Sequence, residues 1–159
     1  MNQLEDPEVI QALCQASQAG VPIDLIIRGF CCLRPGVPGR TETVRVRSII
    51  GRFLEHSRIF YFANGPENTC AGEFFIGSAD WMYRNLSKRI EVMSPVLAPG
   101  PRAKLWEILD ICLHDQRQAW TLAPDGAYCQ LSPKEDSEGP EAIGTQETLM
   151  NSARARIGE

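Results

Sequence analysis

Gly51-Arg52-Phe53-Leu54-Glu55-His56-Ser57-Arg58-Ile59-Phe60-Tyr61-Phe62 is followed about twenty residues on by Phe74-Phe75-Ile76-Gly77-Ser78-Ala79-Asp80-Trp81-Met82-Tyr83-Arg84-Asn85-Leu86. Each stretch is an apolar run carrying a few polar groups suited to phosphate. Side chains alternate along an extended strand, so His56 and Arg58 are expected on one face of a strand over residues 53–62. Glu73-Phe74-Phe75-Ile76 reads as the strand that closes a hairpin with it. Gly77 and Ser78 then form a turn whose small side chains would expose backbone N–H groups to an anion. Histidine accepts a phosphoryl group or carries a proton near neutral pH, and arginine grips phosphate oxygens two at a time. The pair of stretches predicts a phosphate-handling site.

The surrounding chain reads as α/β. Asp6-Pro7 starts a helix over residues 7–19, with Val9, Ile10 and Leu13 on its apolar face and Gly20 as its stop. Residues 22–29 form a short, nearly continuous apolar run, the mark of a strand covered on both faces. Arg28 stands at its carboxyl end, where open α/β sheets bind ligands, although a structural ion pair accounts for it equally well. The segment 33–40 is a Pro/Gly loop carrying Arg34 and Arg40, and residues 44–50 alternate as a strand. Residues 82–86 read as an irregular or single-turn segment over the site, and 89–96 as a strand with Glu91 opposite Ile90 and Val92. Leu105, Ile108, Leu109, Cys112 and Leu113 make the apolar stripe of a second helix from about residue 102, with His114 near its end. A Pro124-Asp125-Gly126 turn predicts a hairpin across residues 120–129. Residues 1–130 are expected to form the domain. Residues 131–159 are expected to be an acidic flexible tail, with a short helix near 145–156 presenting Leu149, Met150 and Ala153.

At 159 residues, 43% of them hydrophobic, the chain can bury a core as one domain. Its net charge is −4, yet residues 28–58 hold seven arginines (Arg28, Arg34, Arg40, Arg45, Arg47, Arg52, Arg58) against Glu42 and Glu55. Thirteen of the sixteen basic residues are arginine, a bias that suits bidentate phosphate contacts, though scattered surface arginines explain the count as well. Six cysteines show no CxxC spacing, which favours reduced core thiols over a disulfide framework or a zinc site built from Cys31, Cys32 and His56. No stretch is long and apolar enough to span a bilayer and no signal pattern follows Met1, so a cytoplasmic protein is expected, at most peripheral to the inner membrane. The P-loop signature and the protein-kinase set are both absent.

Ile23-Asp24-Leu25-Ile26-Ile27-Arg28-Gly29, Cys32-Leu33-Arg34-Pro35-Gly36, Ser48-Ile49-Ile50-Gly51-Arg52-Phe53-Leu54-Glu55-His56-Ser57-Arg58 and Gly77-Ser78-Ala79-Asp80-Trp81-Met82 together resemble the C-terminal domain of bacterial polyphosphate kinase of the first type. The resemblance covers roughly residues 1–130. It implies a phospholipase-D-like α/β fold, a mixed sheet flanked by helices, as one of two related halves that each bring a histidine to a shared cleft. Where the phospholipase D signature has His-x-Lys, this chain has His56-Ser57-Arg58, a cation better suited to planar phosphate recognition and a departure from phosphodiesterase chemistry.

The implied activity is reversible transfer of the terminal phosphoryl group of ATP to polyphosphate through a phosphohistidine, with Mg2+. The resemblance casts His56 as the second essential histidine, Arg28 and Arg58 as contacts to ATP phosphates, and Ser78, Asp80, Arg84, Asn85 and Glu91 as residues lining or supporting the tunnel. The histidine that becomes phosphorylated and the groups that contact magnesium have no counterpart here, so no metal ligand is assigned and the chain alone is expected to be inactive. The expected partners are ATP or ADP, polyphosphate and the remaining domains of the same enzyme, as a homo-oligomer at full length and without nucleic acid. Two alternatives stay open: a phospholipase-D-like phosphodiesterase or nuclease half that pairs two His56 residues in a homodimer, and a non-catalytic polyphosphate-binding module.

Overall fold

Asp6 starts the first helix as its sequence suggests. Its carboxylate accepts from the N–H groups of Glu8 and Val9, and Pro7 opens α1 (Pro7–Gln18). The computed structural model describes residues 1–65 and 68–158. After α1 come β1 (Ile23–Ile26), β2 (Val44–Ile49), β3 (Ile59–Phe62), β4 (Glu73–Gly77), α2 (Tyr83–Lys88), β5 (Met93–Pro95), α3 (Pro99–His114), β6 (Ala119–Leu122), β7 (Tyr128–Gln130), α4 (Gly139–Ile143) and α5 (Thr145–Ile157).

The strands divide between two sheets. The larger is mixed, in the order β1-β2-β6-β7, with β1 and β2 parallel and the other pairs antiparallel. The smaller is antiparallel, in the order β3-β4-β5. Residues 1–6 join them. Leu4 bridges Cys31 on one side and Trp81 on the other, and the first residues exchange backbone hydrogen bonds with Arg28, Gly29 and Cys32. Leu4 is fully buried, in a core with Leu25, Ile27, Leu33, Val44, Val46 and Leu122, against which Val9, Ile10 and Leu13 of α1 pack. The helical period read for α1 thus meets the apolar strands it was expected to cover.

Several elements differ from the sequence reading, and the differences have physical causes. The strand expected over residues 53–62 is only Ile59–Phe62, because residues 51–57 leave the hairpin and find no partner strand among the described residues; Leu54 is 76% exposed. The strand expected over 89–96 shortens to Met93–Pro95, with Ile90 wholly exposed. Residues 82–86, read as an irregular or single-turn segment, are the cap and first turn of the short helix α2. The cysteines are free thiols but none lies in the core: Cys32 and Cys129 are exposed and the other four half-buried. The turn read around residues 64–68 falls partly on residues 66 and 67, outside the described residues.

Beyond residue 130, the short helix read near 145–156 is present as α5 and docks on the body, while the stretch before it, expected to be flexible, includes α4. Asp115, fully buried, accepts from Arg117 and Gln118 with one oxygen and from the N–H of Thr145 with the other. Gln146 is 4% exposed and both donates to and accepts from the backbone of Phe53. The segment's low apolar content concealed this attachment because polar groups make it.

Candidate active site

Asp80 sits three residues past Gly77, the last residue of β4, and is 5% exposed. Arg58 grips it in a fork: Nε donates to Oδ1 at 3.2 Å and Nη2 to Oδ2 at 2.8 Å. The two side chains are 9% and 7% exposed, so this ion pair is shielded from water, and removing either partner would strand a buried charge. Arg58 Nη1 then turns to His56, donating to its carbonyl at 2.8 Å and lying 2.7 Å from Nδ1, while Nη2 lies 3.2 Å from Nε2. A guanidinium has no acceptor, so the ring nitrogen bonded to it must offer its lone pair, and the other nitrogen of a neutral ring carries the proton. His56 and Arg58 therefore come together as their spacing implied, although on extended coil rather than on a strand.

Asn2 completes the arrangement from the far end of the sequence. Its N–H donates to Asp80 Oδ1 at 2.7 Å and its Nδ2 to Oδ2 at 3.2 Å. Its Oδ1 accepts from Arg28 Nε at 3.1 Å and Nη2 at 3.0 Å. The result is one continuous network, Arg28–Asn2–Asp80–Arg58–His56, in which every link is a hydrogen bond. Burial pushes the Asp80 carboxyl up, but the Arg58 and Asn2 hydrogen bonds outweigh it and hold the group below the ordinary carboxylate range. Arg28 differs from Arg58 in one respect that matters for chemistry. Its partner is a neutral amide, no ion pair among the described residues includes it, and Nη1 makes no hydrogen bond among them, so both charge and donors remain for an anion.

Ser78, Asn85 and Glu91 form a second cluster. Ser78 Oγ donates to Glu91 Oε2 and accepts from the N–H of Val92 at 3.0 Å; Asn85 Nδ2 donates to Glu91 Oε1 at 2.5 Å. These donors, Ser78 first and Asn85 second, hold the Glu91 carboxyl below its ordinary range. Glu91 thus orients a serine and an amide. Asn85 is buried, and its Oδ1 has no hydrogen-bond partner among the described residues. No side-chain hydrogen bond joins this cluster to the Asp80 network among the described residues. Arg84, on the exposed side of α2, joins neither.

Two expectations are corrected here. The N–H groups of Gly77 and Ser78 are not open to an anion, because they donate to the carbonyls of Arg58 and Val92 in the sheet. Glycine is favoured at 77 for a different reason: a Cβ there would stand 3.1 Å from the Val92 carbonyl, which would have to give by a few tenths of an ångström. The arginines of residues 28–58 also do not make one charged cleft. Arg45 pairs with Asp24 at the surface, and Arg47 donates to the carbonyl of Cys112 at 3.0 Å, satisfying the end of α3.

Two contributors escaped the sequence reading. Asn2 lies 78 residues from Asp80, and Gln146 lies 93 residues from Phe53, so no local pattern announces either. A Cβ on Gly51 would run into the amides of Gln118 and Gln146, which shows how closely α5 holds the loop that leads to His56. A magnesium site does not fit these residues. No group of three His, Cys, Asp or Glu side chains capable of holding a metal occurs among the described residues, and the two carboxylates of the clusters are already engaged by Arg58, Asn2, Ser78 and Asn85.

The family model for polyphosphate kinase C-terminal domain 2 matches residues 1–141. The chain belongs to the polyphosphate kinase C-terminal domain 2 family. It is 55% identical over 150 residues to a polyphosphate kinase of Thermosynechococcus vestitus, covering 94% of this chain and 20% of that protein. It is 48% identical over 157 residues to a polyphosphate kinase of Pseudomonas aeruginosa, covering 99% of this chain and 22% of the relative. The crystal structure of polyphosphate kinase from Porphyromonas gingivalis matches with a TM-score of 0.87 at 39% identity, over 98% of this chain and 23% of that one. The α/β architecture of two sheets flanked by helices is therefore that of a polyphosphate kinase domain, and the chain spans about a fifth of the length of these relatives. No described helix is long and apolar enough to cross a membrane.

Proposed function

We propose that this chain is the C-terminal domain of an ATP-polyphosphate phosphotransferase, an enzyme that reversibly moves the terminal phosphoryl group of ATP onto polyphosphate through a phosphohistidine outside these residues. The observation that carries the reading is the network from Arg28 to His56. Phosphoryl transfer depends on positioning and on placing fixed positive charge and donors where charge develops, and the network does both.

Arg28 supplies the free charge and donors for the phosphates of ATP or ADP. Arg58 lies against both ring nitrogens of His56, closer at Nδ1 than at Nε2; a ring that keeps the Nδ1 contact and gives up the longer one at Nε2 would present a proton from Nε2 to an oxygen of the transferring group. Arg58 is saturated by Asp80 and His56, so it acts as a positioning residue and lends long-range charge rather than gripping phosphate itself. Ser78, Asn85 and Glu91 form a polar wall beside the site, and Arg84 stays available at the surface. Magnesium belongs to the nucleotide and to the remainder of the enzyme, where the phosphorylated histidine also lies. The isolated chain is inactive for that reason, and the full-length enzyme works as a cytoplasmic homo-oligomer.

The test is to supply the purified chain with labelled ATP, polyphosphate and a phosphodiester reporter, alone and with the rest of the enzyme provided in trans. The chain alone should bind polyphosphate in a salt-sensitive manner without turnover, and complementation should give ATP-dependent polyphosphate synthesis that His56→Ala abolishes. Diester cleavage by the chain alone, lost in His56→Ala, would overturn the proposal in favour of a phosphodiesterase. Binding with no synthesis under any complementation would reduce the chain to a binding module.

A further inference from the structure

We infer that the space between β1 and β3 is a receptor slot for one further β-strand, apolar on both faces and supplied by the part of the enzyme outside this chain. The proposal is independent of the catalytic reading. It begins with two sheet edges. Among the described residues the only strand paired with β1 is β2 and the only one paired with β3 is β4, so each has a free edge.

The backbone phase shows that these edges face a common gap. Arg28 donates its N–H to the carbonyl of Met1, whereas Ile23 and Ile27 donate to Thr43 and Arg47. By the alternation of a strand, the N–H groups of Asp24 and Ile26 point the same way as that of Arg28, away from β2. On β3, Arg58 accepts from Gly77, so Phe60 and Phe62 share its direction and the backbone groups of Ile59 and Tyr61 point away from β4.

At one end the gap is already filled by a single strand. Residues 1–6 lie there, and Leu4 pairs with Cys31 and Trp81 at once, so the opening is one strand wide. The Met1 nitrogen donates to the Ile26 carbonyl at 3.0 Å, the next rung of a parallel ladder whose following positions lie along Ile23–Ile26. Past that rung opens a cavity of about 930 Å³, lined by β1, β3, Leu13 and Ala16 of α1 on one side and Trp106, Leu109 and Leu113 of α3 on the other.

These linings define the occupant. A strand there would run parallel to β1 and antiparallel to β3, and would meet apolar side chains above and below. It must therefore be a short, nearly continuous apolar run rather than an alternating one. Both edges are four residues long, which sets the length of the inserted segment. Since the relatives are about five times as long as this chain, the remainder of the enzyme has ample polypeptide to provide it. The seven strands would then form one continuous sheet, with Arg28, Asn2 and Arg58 gathered at one end of the three central strands. Strand addition of this kind satisfies backbone groups that an open edge leaves unpaired.

Hydrogen–deuterium exchange on the isolated chain and on the full-length enzyme tests this. The amides of Asp24, Ile26, Ile59 and Tyr61 should exchange at least about tenfold faster in the isolated chain, while those of the β2–β6 pair behave alike in both. Equal protection of the four amides in the two forms would overturn the inference. Protection that appears in the isolated chain only as concentration rises, together with a dimer, would also overturn it by making a second copy the occupant. Should the β2–β6 amides show that the isolated chain is not folded, Ile26→Pro in the full-length enzyme decides. Proline is tolerated where an edge N–H faces open space, so an unchanged melting temperature contradicts the slot and a drop of about 5 °C or more supports it.

Discussion

Arg58 commits all three guanidinium nitrogens, two to Asp80 and Nη1 to His56, and this makes the pair a structural hinge for the histidine. Asp80→Ala would leave Arg58 buried without its counter-charge and should lower unfolding free energy by about 3–5 kcal/mol, measured by urea titration. The pH dependence follows from the depressed carboxyl of Asp80. Its stabilisation is present above the ordinary aspartate value of 3.8 and is lost as pH falls through the lower folded value. The stability gap between the wild-type chain and Asp80→Asn should therefore be full at about pH 5 and shrink toward about pH 2; a gap constant with pH would show that Asp80 is not charged in the folded protein. Arg28 should behave differently, because its donors are free. In the full-length enzyme Arg28→Lys keeps the charge but loses the fork, and should cost about 1–3 kcal/mol of nucleotide binding or transition-state stabilisation. An unchanged kcat/KM would make Arg28 purely structural. His56, Arg58 and Asp80 were legible in the sequence because motif spacing is local. Asn2 was not, because its role exists only once residues 1–6 lie between the two sheets.

Among the elements, α5 carries the least expected role. Thr145 and Gln146 at its start are fixed by Asp115, Gln118 and Phe53, and the Phe53 backbone leads within three residues to His56. Gln146→Ala removes two backbone hydrogen bonds and should destabilise by about 1–3 kcal/mol. As a positioning residue it should also lower kcat of the full-length enzyme, by up to about a hundredfold if the loop shifts by an ångström, with a smaller change in KM for ATP. A loss of stability with kcat intact would make α5 a mere cover. The helices α1 and α3 were readable because a cap and an apolar stripe are properties of a few successive residues. The strand over 53–58 was misread because alternation reports which side chains can share a face, not whether a neighbouring backbone exists to pair with. The helix near 145–156 was legible from its apolar face, but its polar attachments were not, because composition is silent about amide and carboxylate contacts to a distant loop.

For the molecule as a whole, the two incomplete sheets and the one-histidine site point the same way. The chain supplies a rigid frame, a free arginine and a positioned imidazole, and its relatives are about five times longer. Length and charge could not show this; the resemblance carried by the motifs predicted it, and the relatives are about five times as long as this chain. His114, the other histidine, lies exposed at the end of α3, bonded to the Asp110 carbonyl at 2.9 Å and far from any motif. The central claim is that the network presents His56 to a phosphoryl group in transfer. The most direct measurement is the steady-state rate of ATP-dependent polyphosphate synthesis by the full-length enzyme and its His56→Ala variant, with ATP binding measured in parallel. The account predicts a loss in kcat of about a hundredfold or more, the range for a positioned acid or base, with ATP affinity changed by less than about tenfold. A His56→Ala enzyme that keeps its kcat would contradict it.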